Sequence, residues 1–336
     1  MTIREQLEHD EHLRLSEKAQ FSDATLGRPR PEAATENDVR TCYQRDSDRI
    51  LHSKSFRRLM HKTQVFLQPE GDHYRTRMTH TLEVARVART MARGLGLNED
   101  LTEAAALGHD LGHTPFGHAG ERVMNELLPG GFRHYEQSLR VVDRLENDGD
   151  GLNLTYEVRR GILCHSGPDL AETLEGRCVR LADKIAYLSA DIDDALRGGV
   201  IYPLDIPAEV VQRLGSSHSE RINTLVTDII DTSRGKGDIL QSPDKKEAMA
   251  LLRDFMYASV YLNPMAKGEE GKAQELLRRL FDYYMKNQDR LPEEFLDIRD
   301  REGDERAVCD YISGMTDAYA VEMYQNLFIP KAWTVK

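Results

Sequence analysis

The stretch from His109 to Glu121 constrains the fold more than any other part of the sequence. It holds three histidines, one aspartate and one glutamate within thirteen positions, although the chain of 336 residues has only 12 histidines. Leu101 and Ala105 precede His109 by eight and four residues, a spacing that predicts a helix over residues 98–111 with His109 on its inward apolar side. The sequence therefore predicts a helix that carries a histidine into the core.

A lone inward histidine is most often an ordinary core residue. Here Asp110 follows His109 directly, and an ionised carboxylate beside a core costs several kcal/mol unless a positive charge neutralises it. A divalent cation would supply that charge. We therefore expect further metal ligands on other helices.

Two other segments offer such ligands. His80 is followed at helical spacing by Val84, Val87, Ala88, Met91 and Leu95. This pattern places His80 on the inward side of a second helix. Asp183, Tyr187 and Asp191 are four residues apart within a third predicted helix over residues 177–198, so they share one face.

These segments together supply two imidazoles and two carboxylates, from His80, His109, Asp110 and Asp183. A mixed nitrogen and oxygen set suits a divalent ion such as Mg, Mn, Fe, Co, Ni or Zn rather than a metal that prefers sulfur. The sequence therefore predicts one divalent metal ion, bound where three helices meet.

His118 and Glu121 form a candidate acid and base pair near the start of the helix that follows Pro115, because residues three apart lie on one helix face. Hydrolysis of a phosphate ester needs a proton for the departing oxygen, which His118 would donate while Glu121 orients the ring. His113 is a second candidate for this role. The alternative is that Glu121 is an ordinary exposed helix carboxylate.

Seven motifs extend this pattern along the chain. They are Gln44–Phe66, Arg77–His80, His109–His118, Glu136–Arg140, His165–Gly167, Ala182–Tyr187 and Asp310–Met315. Together they resemble the dGTPase-like dNTP triphosphohydrolases of the HD-domain phosphohydrolases, strongly over residues 40–195 and more weakly to residue 328. The resemblance implies a metal-dependent enzyme that hydrolyses dNTPs, dGTP among them, to deoxynucleoside and tripolyphosphate.

The resemblance also implies roles for individual residues. Gln64 matches a sugar or base contact, and Arg77 and Lys184 match phosphate contacts that flank the predicted metal ligands. Tyr187 and Asp191 match residues that recognise the deoxyribose and its 3′-hydroxyl. These five residues would bind the substrate.

Charge and composition narrow the partners. The net charge of −12 argues against nucleic-acid binding over the whole surface. Residues 38–93 nevertheless hold 12 Lys and Arg against 6 Asp and Glu, a local excess that suits a compact polyanion. No apolar run is long enough for a membrane span, and the four cysteines show no C-x-x-C spacing. We expect a cytoplasmic protein and, from the resemblance, a homo-oligomer.

The periodicity predicts an all-α fold in three parts. Residues 1–38 form an N-terminal arm, residues 39–200 an HD-type core, and residues 201–336 a C-terminal helical region packed on that core. Within the core, the pattern predicts single helices over residues 39–61 and 134–147.

Two other functions fit the same residues. One is a different HD hydrolase, such as a phosphodiesterase or nucleotidase, and the other is a nucleotide or nucleic-acid sensor with a vestigial site. One position departs from the resembled family, which usually carries Asn or His before Glu136, whereas this chain has Tyr135. No role is assigned to that residue.

Overall fold

The computed structural model describes residues 1–32, 38–64, 75–263 and 268–331. Its α-helices are α1 (Ile3–Arg14), α2 (Cys42–Leu51), α3 (Lys54–Arg58), α4 (Arg77–Leu95), α5 (Glu99–Gly108), α6 (Gly117–Leu127), α7 (His134–Arg140), α8 (Tyr156–Cys164), α9 (Leu174–Arg197), α10 (Ala208–Leu214), α11 (His218–Ser233), α12 (Pro243–Met256), α13 (Glu270–Lys286), α14 (Glu293–Glu302), α15 (Asp304–Ser313) and α16 (Asp317–Phe328). Within these ranges the only β-pairing is an isolated antiparallel bridge between Thr63 and Thr76. The all-α prediction is confirmed.

Local signals explain where the helices that carry the site begin and end. The Thr76 hydroxyl accepts a hydrogen bond from the Thr79 amide at the start of α4, and Gly96 ends the same helix in the left-handed conformation, at φ 67°. The Thr173 hydroxyl caps α9 in the same way through the Gly176 amide. These caps set the register of the residues that face inward.

The larger apolar core lies where α4 packs against α5 and α9. Val84, Met91, Leu101 and Ile185 are all fully buried there. Every predicted metal ligand lies on one of these helices or directly after it.

A second apolar core joins α6 to the C-terminal helices α13 and α15. Its buried residues include Val123, Met124, Leu277, Leu280 and Ile312. The helix that carries His118 and Glu121 therefore packs mainly on the C-terminal region.

The prediction of one helix over residues 39–61 is wrong. The chain breaks at His52 and Ser53, continues as α3, and ends in a short 3-10 helix at Leu59–His61. Ser53 accepts a hydrogen bond from the Phe56 amide, and the distant Glu146 carboxylate accepts from the first amides of α3. A side chain remote in sequence thus stabilises a helix start that periodicity does not reveal.

The predicted helix over residues 134–147 is also shorter in its α-helical part, because α7 changes to a π-helix at Val141–Leu145. Residues 63–67, followed by the turn signal at Pro69 and Gly71, predict a short extended connection, which lies largely outside the described residues. None of the helices in the described ranges is both long enough and apolar enough to cross a lipid bilayer.

Candidate metal centre and active site

Three of the four predicted metal ligands, His80, His109 and Asp110, have ligand atoms within 4.8 Å of one another, and Asp183 lies beside both histidines. The His80 Nε2 atom lies 3.1 Å from Asp183 Oδ1 and 4.0 Å from Asp110 Oδ2. The His109 Nε2 atom lies 3.4 Å from Asp110 Oδ1 and 3.9 Å from Asp183 Oδ1. Atoms bound at about 2.1 Å to one ion lie roughly 3 to 4 Å from one another, so these separations fit a shared divalent cation.

Each of these four side chains is placed by its position in a helix or directly after one. His80 lies in the first turn of α4, His109 ends α5, Asp110 begins the turn that follows, and Asp183 lies near the middle of α9. The His80, His109 and Asp110 residues are at most 3% exposed, whereas the Asp183 side chain keeps 22% of its surface accessible. The cluster is therefore buried on three sides and open on the side of Asp183.

The hydrogen bonding of His109 shows which of its nitrogens is free. Its Nδ1 atom donates to the Ala106 carbonyl oxygen at 2.7 Å, so Nε2 carries the lone pair. This Nε2 atom is buried and has no hydrogen-bond partner in the described part of the chain. A buried lone pair directed at two carboxylates is the arrangement expected of a metal ligand.

Both carboxylates are held in the ionised form. Burial alone would raise the pKa of Asp110, but His109, His113 and Arg77 hold it well below its usual range. Burial would also raise the pKa of Asp183, but other contacts, chiefly the hydrogen bond with His80, lower it. Two negative charges therefore face two imidazoles, and a cation would complete their neutralisation.

A second set of possible ligand atoms, from Asp110, His113 and His134, does not suit a metal. The rings of His113 and His134 are stacked, with centroids 4.2 Å apart and planes 12° from parallel. Imidazole lone pairs lie in the ring plane, so two stacked rings cannot direct them at one ion. We interpret this set as a hydrogen-bonded cluster.

Glu121 joins two histidines. Its Oε2 atom lies 3.3 Å from His118 Nδ1, and its Oε1 atom lies 3.0 Å from His134 Nδ1. Burial would raise the pKa of Glu121, but the hydrogen bonds from His118 and His134 lower it far below its ordinary value. The carboxylate is therefore ionised and accepts hydrogen bonds from both rings.

The hydrogen bonds further assign two protons to His134. The His165 Nδ1 atom donates to the Ile162 carbonyl oxygen at 2.7 Å, which leaves its Nε2 atom as an acceptor 3.2 Å from His134 Nε2. His134 must then donate from Nε2 to His165 and from Nδ1 to Glu121. The geometry thus favours the imidazolium form of His134.

Most of these groups line one cavity of about 920 Å³. From the predicted set, the lining includes Gln64, Arg77, His80, Asp110, His113, His118, Glu121, Asp183, Tyr187 and Asp191. His109 is completely buried behind this wall. The structure therefore brings eleven of the twelve predicted site residues to one place.

Lys184 is the exception. Successive residues on an α-helix are about 100° apart around the axis, so Lys184 points away from the face shared by Asp183 and Tyr187. It is solvent-exposed and is absent from the described lining of the cavity. Arg253, from α12, lines the cavity instead.

Several lining residues were not predicted from the sequence. The Tyr261 hydroxyl donates a short hydrogen bond to Asp191, whose pKa burial raises to about 7. His134 and Arg253 also line the cavity, and His165 lies directly behind His134. The one available signal was that His134 is a further histidine beside a predicted helix start. Tyr135, next to it, packs its ring against Gly167, where a Cβ atom would clash at 2.7 Å.

Comparison with known proteins agrees with this architecture. Residues 77–188 match the HD domain, and residues 239–326 match the phosphohydrolase-associated domain. The fold and the histidine and aspartate cluster therefore define an HD-domain protein.

Relatives of nearly the same length narrow the class. A deoxyguanosinetriphosphate triphosphohydrolase-like protein of Caldanaerobacter subterraneus subsp. tengcongensis is 55% identical, with 99% of this chain and 98% of that protein aligned. Proteins of the same description from Desulfatibacillum aliphaticivorans and Clostridium perfringens are 50% and 48% identical, each over 98% of this chain and 99% of the relative. The chain belongs to the dGTP triphosphohydrolase-like family of HD-domain phosphohydrolases.

Proposed function

We propose that the protein hydrolyses deoxynucleoside triphosphates, dGTP among them, to deoxynucleoside and tripolyphosphate with the help of a divalent metal ion. The cluster of His80, His109 and Asp110, with Asp183 beside both histidines and with His118 and Glu121 lining the same cavity, carries this proposal. The resemblance to the family supports the choice of substrate.

The four converging side chains are the proposed metal ligands. A divalent ion bound there would act as a Lewis acid and lower the pKa of a bound water from 15.7 to as little as about 7. Asp110 is fixed for this task by two neighbours, since Arg77 Nη1 donates to its Oδ2 atom at 2.8 Å and His113 Nε2 lies 3.2 Å from its Oδ1 atom.

His118 is the proposed donor of a proton to the departing 5′-oxygen. Its side chain is 68% exposed, at the cavity wall, so it is free to reach a bound substrate. Glu121 would orient the ring, and His134, as an imidazolium on the other side of Glu121, would add positive charge near the leaving group. His113 suits the role of donor less well, because burial and the nearby Arg77 lower its pKa well below the usual value and keep it neutral.

Cationic side chains of the cavity would bind the triphosphate. Arg77 is 1% exposed and fixed by its hydrogen bond to Asp110, so it would hold the phosphate next to the metal. Arg253, Arg122 and Arg133 line the outer part of the cavity and would contact the outer phosphates. Lys184, predicted for this role, would have to turn around α9 to take part.

Other lining residues would recognise the deoxyribose and base. Tyr187 and Asp191 follow Asp183 along one face of α9, and Tyr261 fixes Asp191. A tyrosine ring beside C2′ would exclude the extra hydroxyl of a ribonucleotide. Among the described residues the buried Gln64 Oε1 atom has no hydrogen-bond partner, which suits a contact to the sugar or base.

Product analysis tests the proposal. The protein is incubated with each of the four dNTPs and with GTP, in the presence of Mn or Mg, and the products are separated by chromatography. Deoxynucleoside and tripolyphosphate from dNTPs, with GTP spared, are the expected result. Orthophosphate or pyrophosphate would instead indicate another HD hydrolase. A His109→Ala variant that kept every activity would indicate a sensor with a vestigial metal site.

The assembly and setting of the protein also remain predictions. We expect a homo-oligomer of cytoplasmic chains, in which the HD-type core over residues 39–200 and the C-terminal region over residues 201–336 form the proposed parts. Light scattering after size-exclusion chromatography tests the oligomeric state.

A further inference from the structure

The connection between α15 and α16 contacts the active-site turn through buried polar groups. Ser313 ends α15 and Asp317 begins α16, and both lie within the region that matches the phosphohydrolase-associated domain. Asp317 is 4% exposed and Ser313 is 3% exposed. Neither residue lines the cavity in the described part of the chain.

Asp317 uses both of its carboxylate oxygens. Its Oδ2 atom accepts hydrogen bonds from the Thr63 amide at 3.0 Å and from the Thr63 hydroxyl, and its Oδ1 atom accepts from the Phe116 amide at 2.9 Å. The carboxylate therefore ties the C-terminal region to two segments of the site at once, next to Gln64 and next to the start of α6.

The Phe116 contact matters because of the backbone conformation there. Phe116 has φ 61° and ψ 26°, in the left-handed region that residues other than glycine seldom adopt. The chain leaves this residue directly into α6, which carries His118 and Glu121. A group that holds the Phe116 amide thereby sets the direction in which α6 begins.

Lys62 makes a second link across the same junction. Its Nζ atom donates to the His113 carbonyl oxygen at 2.5 Å and to the Ser313 carbonyl oxygen at 3.0 Å, and the residue is 3% exposed. His113 opens the turn that Phe116 closes. Lys62 and Asp317 therefore hold the two ends of the turn over residues 113–116 against the C-terminal helices.

We propose that Asp317 and Lys62 are positioning residues, through which the C-terminal region holds the turn over residues 113–116 and so places His118 and Glu121 against the metal centre. The catalytic consequence rests on the proposed function. The four proposed metal ligands come from α4, α5 and α9, and their side chains make no hydrogen bond to Lys62 or Asp317 within the described residues. Within the turn, His113 contacts the proposed ligand Asp110, whereas Asp317 holds the other end of the turn at Phe116. A change at Asp317 should therefore affect the placement of the proton donor more than metal binding.

The Asp317→Asn variant tests this proposal. Asparagine has one carbonyl oxygen, so its amide group must face either the Thr63 donors or the Phe116 amide. We expect hydrogen exchange of the amides in residues 113–118, followed by mass spectrometry, to become at least about tenfold faster. We also expect kcat for dNTP hydrolysis to fall at least about tenfold, with Mn affinity by calorimetry within about twofold of the unsubstituted protein.

Glu11→Gln is a matched control. Glu11 is also a buried carboxylate that accepts from an amide and a hydroxyl, both of Ser22, but it lies in the N-terminal arm. This variant should leave kcat and the exchange of residues 113–118 unchanged. If Asp317→Asn does not fold, Thr63→Val removes one of the same hydrogen bonds, and Thr63→Ser should restore it together with kcat.

Two results would overturn the proposal. One is exchange and kcat at the unsubstituted level in the Asp317 and Thr63 variants, and the other is a loss of Mn affinity as large as the loss of kcat. An unsubstituted protein that binds Mn but hydrolyses no dNTP would reject the proposed function instead. In that case hydrogen exchange and Mn affinity still decide whether the turn is held by Asp317.

Discussion

Buried carboxylates serve two different ends in two regions of this molecule. In the N-terminal arm, Glu11 accepts hydrogen bonds from the Ser22 amide and hydroxyl. Glu157 accepts hydrogen bonds from the Thr25 hydroxyl and the Leu26 amide of the same arm. All four distances are 2.7 to 2.8 Å. At the proposed metal centre, one oxygen of Asp110 accepts a hydrogen bond from Arg77, and the other contacts of Asp110 and Asp183 are with histidine nitrogens. Among the described residues the His109 Nε2 atom has no hydrogen-bond partner.

The two kinds of carboxylate differ in whether the neighbouring groups donate protons to them. Amides, hydroxyls and guanidinium groups bring their own protons, so they satisfy a buried carboxylate and leave nothing for a ligand to do. An imidazole that points its lone pair at carboxylates, as His109 does, brings them no proton, and a cation would complete such a site. Burial of an acid is therefore a poor guide to function unless its donors are identified.

The largest effect should come from exchanging one acid of each kind for its amide. Asp183→Asn should lower kcat/KM with Mn about 10³-fold, or about 4 kcal/mol, with little change in the unfolding of the metal-free protein. Asp46→Asn, which weakens the contacts of that carboxylate with Arg28 and Thr155, should lower the free energy of unfolding by about 3 kcal/mol. It should leave kcat/KM within about twofold. Similar kinetic losses in both variants would remove the distinction.

Metal addition should stabilise the folded protein through the cluster of His80, His109, Asp110 and Asp183, and not through the buried carboxylates of the N-terminal arm. At a free Mn concentration about 1,000 times the dissociation constant, the unsubstituted protein should gain about 4 kcal/mol in the free energy of unfolding. A chelator should reverse the gain, which calorimetry or urea titration measures. His109→Ala should lose it, whereas Glu11→Gln should keep it in full. Equal stabilisation of the His109 variant would place the ion elsewhere.

Glu175 extends the comparison, because only one of its two carboxylate oxygens accepts hydrogen bonds. Its Oε1 atom accepts from the amides of Gln20 and Asn98, but its Oε2 atom has no hydrogen-bond partner within the ranges that the structure describes. Burial raises the pKa of Glu175 from 4.5 to about 7. The folded protein therefore holds a proton that the unfolded chain releases, and this contribution to stability falls as the pH rises from about 4.5 to about 7.

Glu175→Gln should remove that dependence. The variant should match the unsubstituted protein at pH 4 and exceed it by up to about 3 kcal/mol at pH 8, by urea unfolding at both values. Parallel pH profiles for the two proteins would show that Glu175 ionises freely.

Glu121 is intermediate between the two kinds of buried carboxylate. Its hydrogen-bond donors are two histidines, His118 and His134, that line the cavity of the proposed active site. His134→Gln should lower kcat about 10²-fold while Mn affinity stays unchanged, because His134 lies outside the proposed ligand set. His12→Gln removes an imidazole from a surface pair with Asp23 and should change neither quantity. A fall in Mn affinity on substitution of His134 would instead make it part of the metal site.

Helical periodicity explains how much could be predicted. His80, His109 and Asp183 occupy positions whose inward direction follows from apolar neighbours on the same helix, so their meeting was accessible from the sequence. The contacts of His134 and Asp317 join helix ends that are far apart in the chain, and no local pattern encodes them. The same reason explains the missed break before α3, which depends on Glu146.

The face of α9 that carries Asp183, Tyr187 and Asp191 also fixes the distances between these three side chains along the helix axis. Four residues of α-helix advance about 6 Å, so on the proposed assignment the chemistry and the sugar contacts are held about 6 and 12 Å apart along one stiff axis. Insertion of a single residue between Asp183 and Tyr187 would swing the sugar contacts about 100° away from the cavity. On the proposed function, such a variant should still bind the divalent ion but lose its contacts with the deoxyribose.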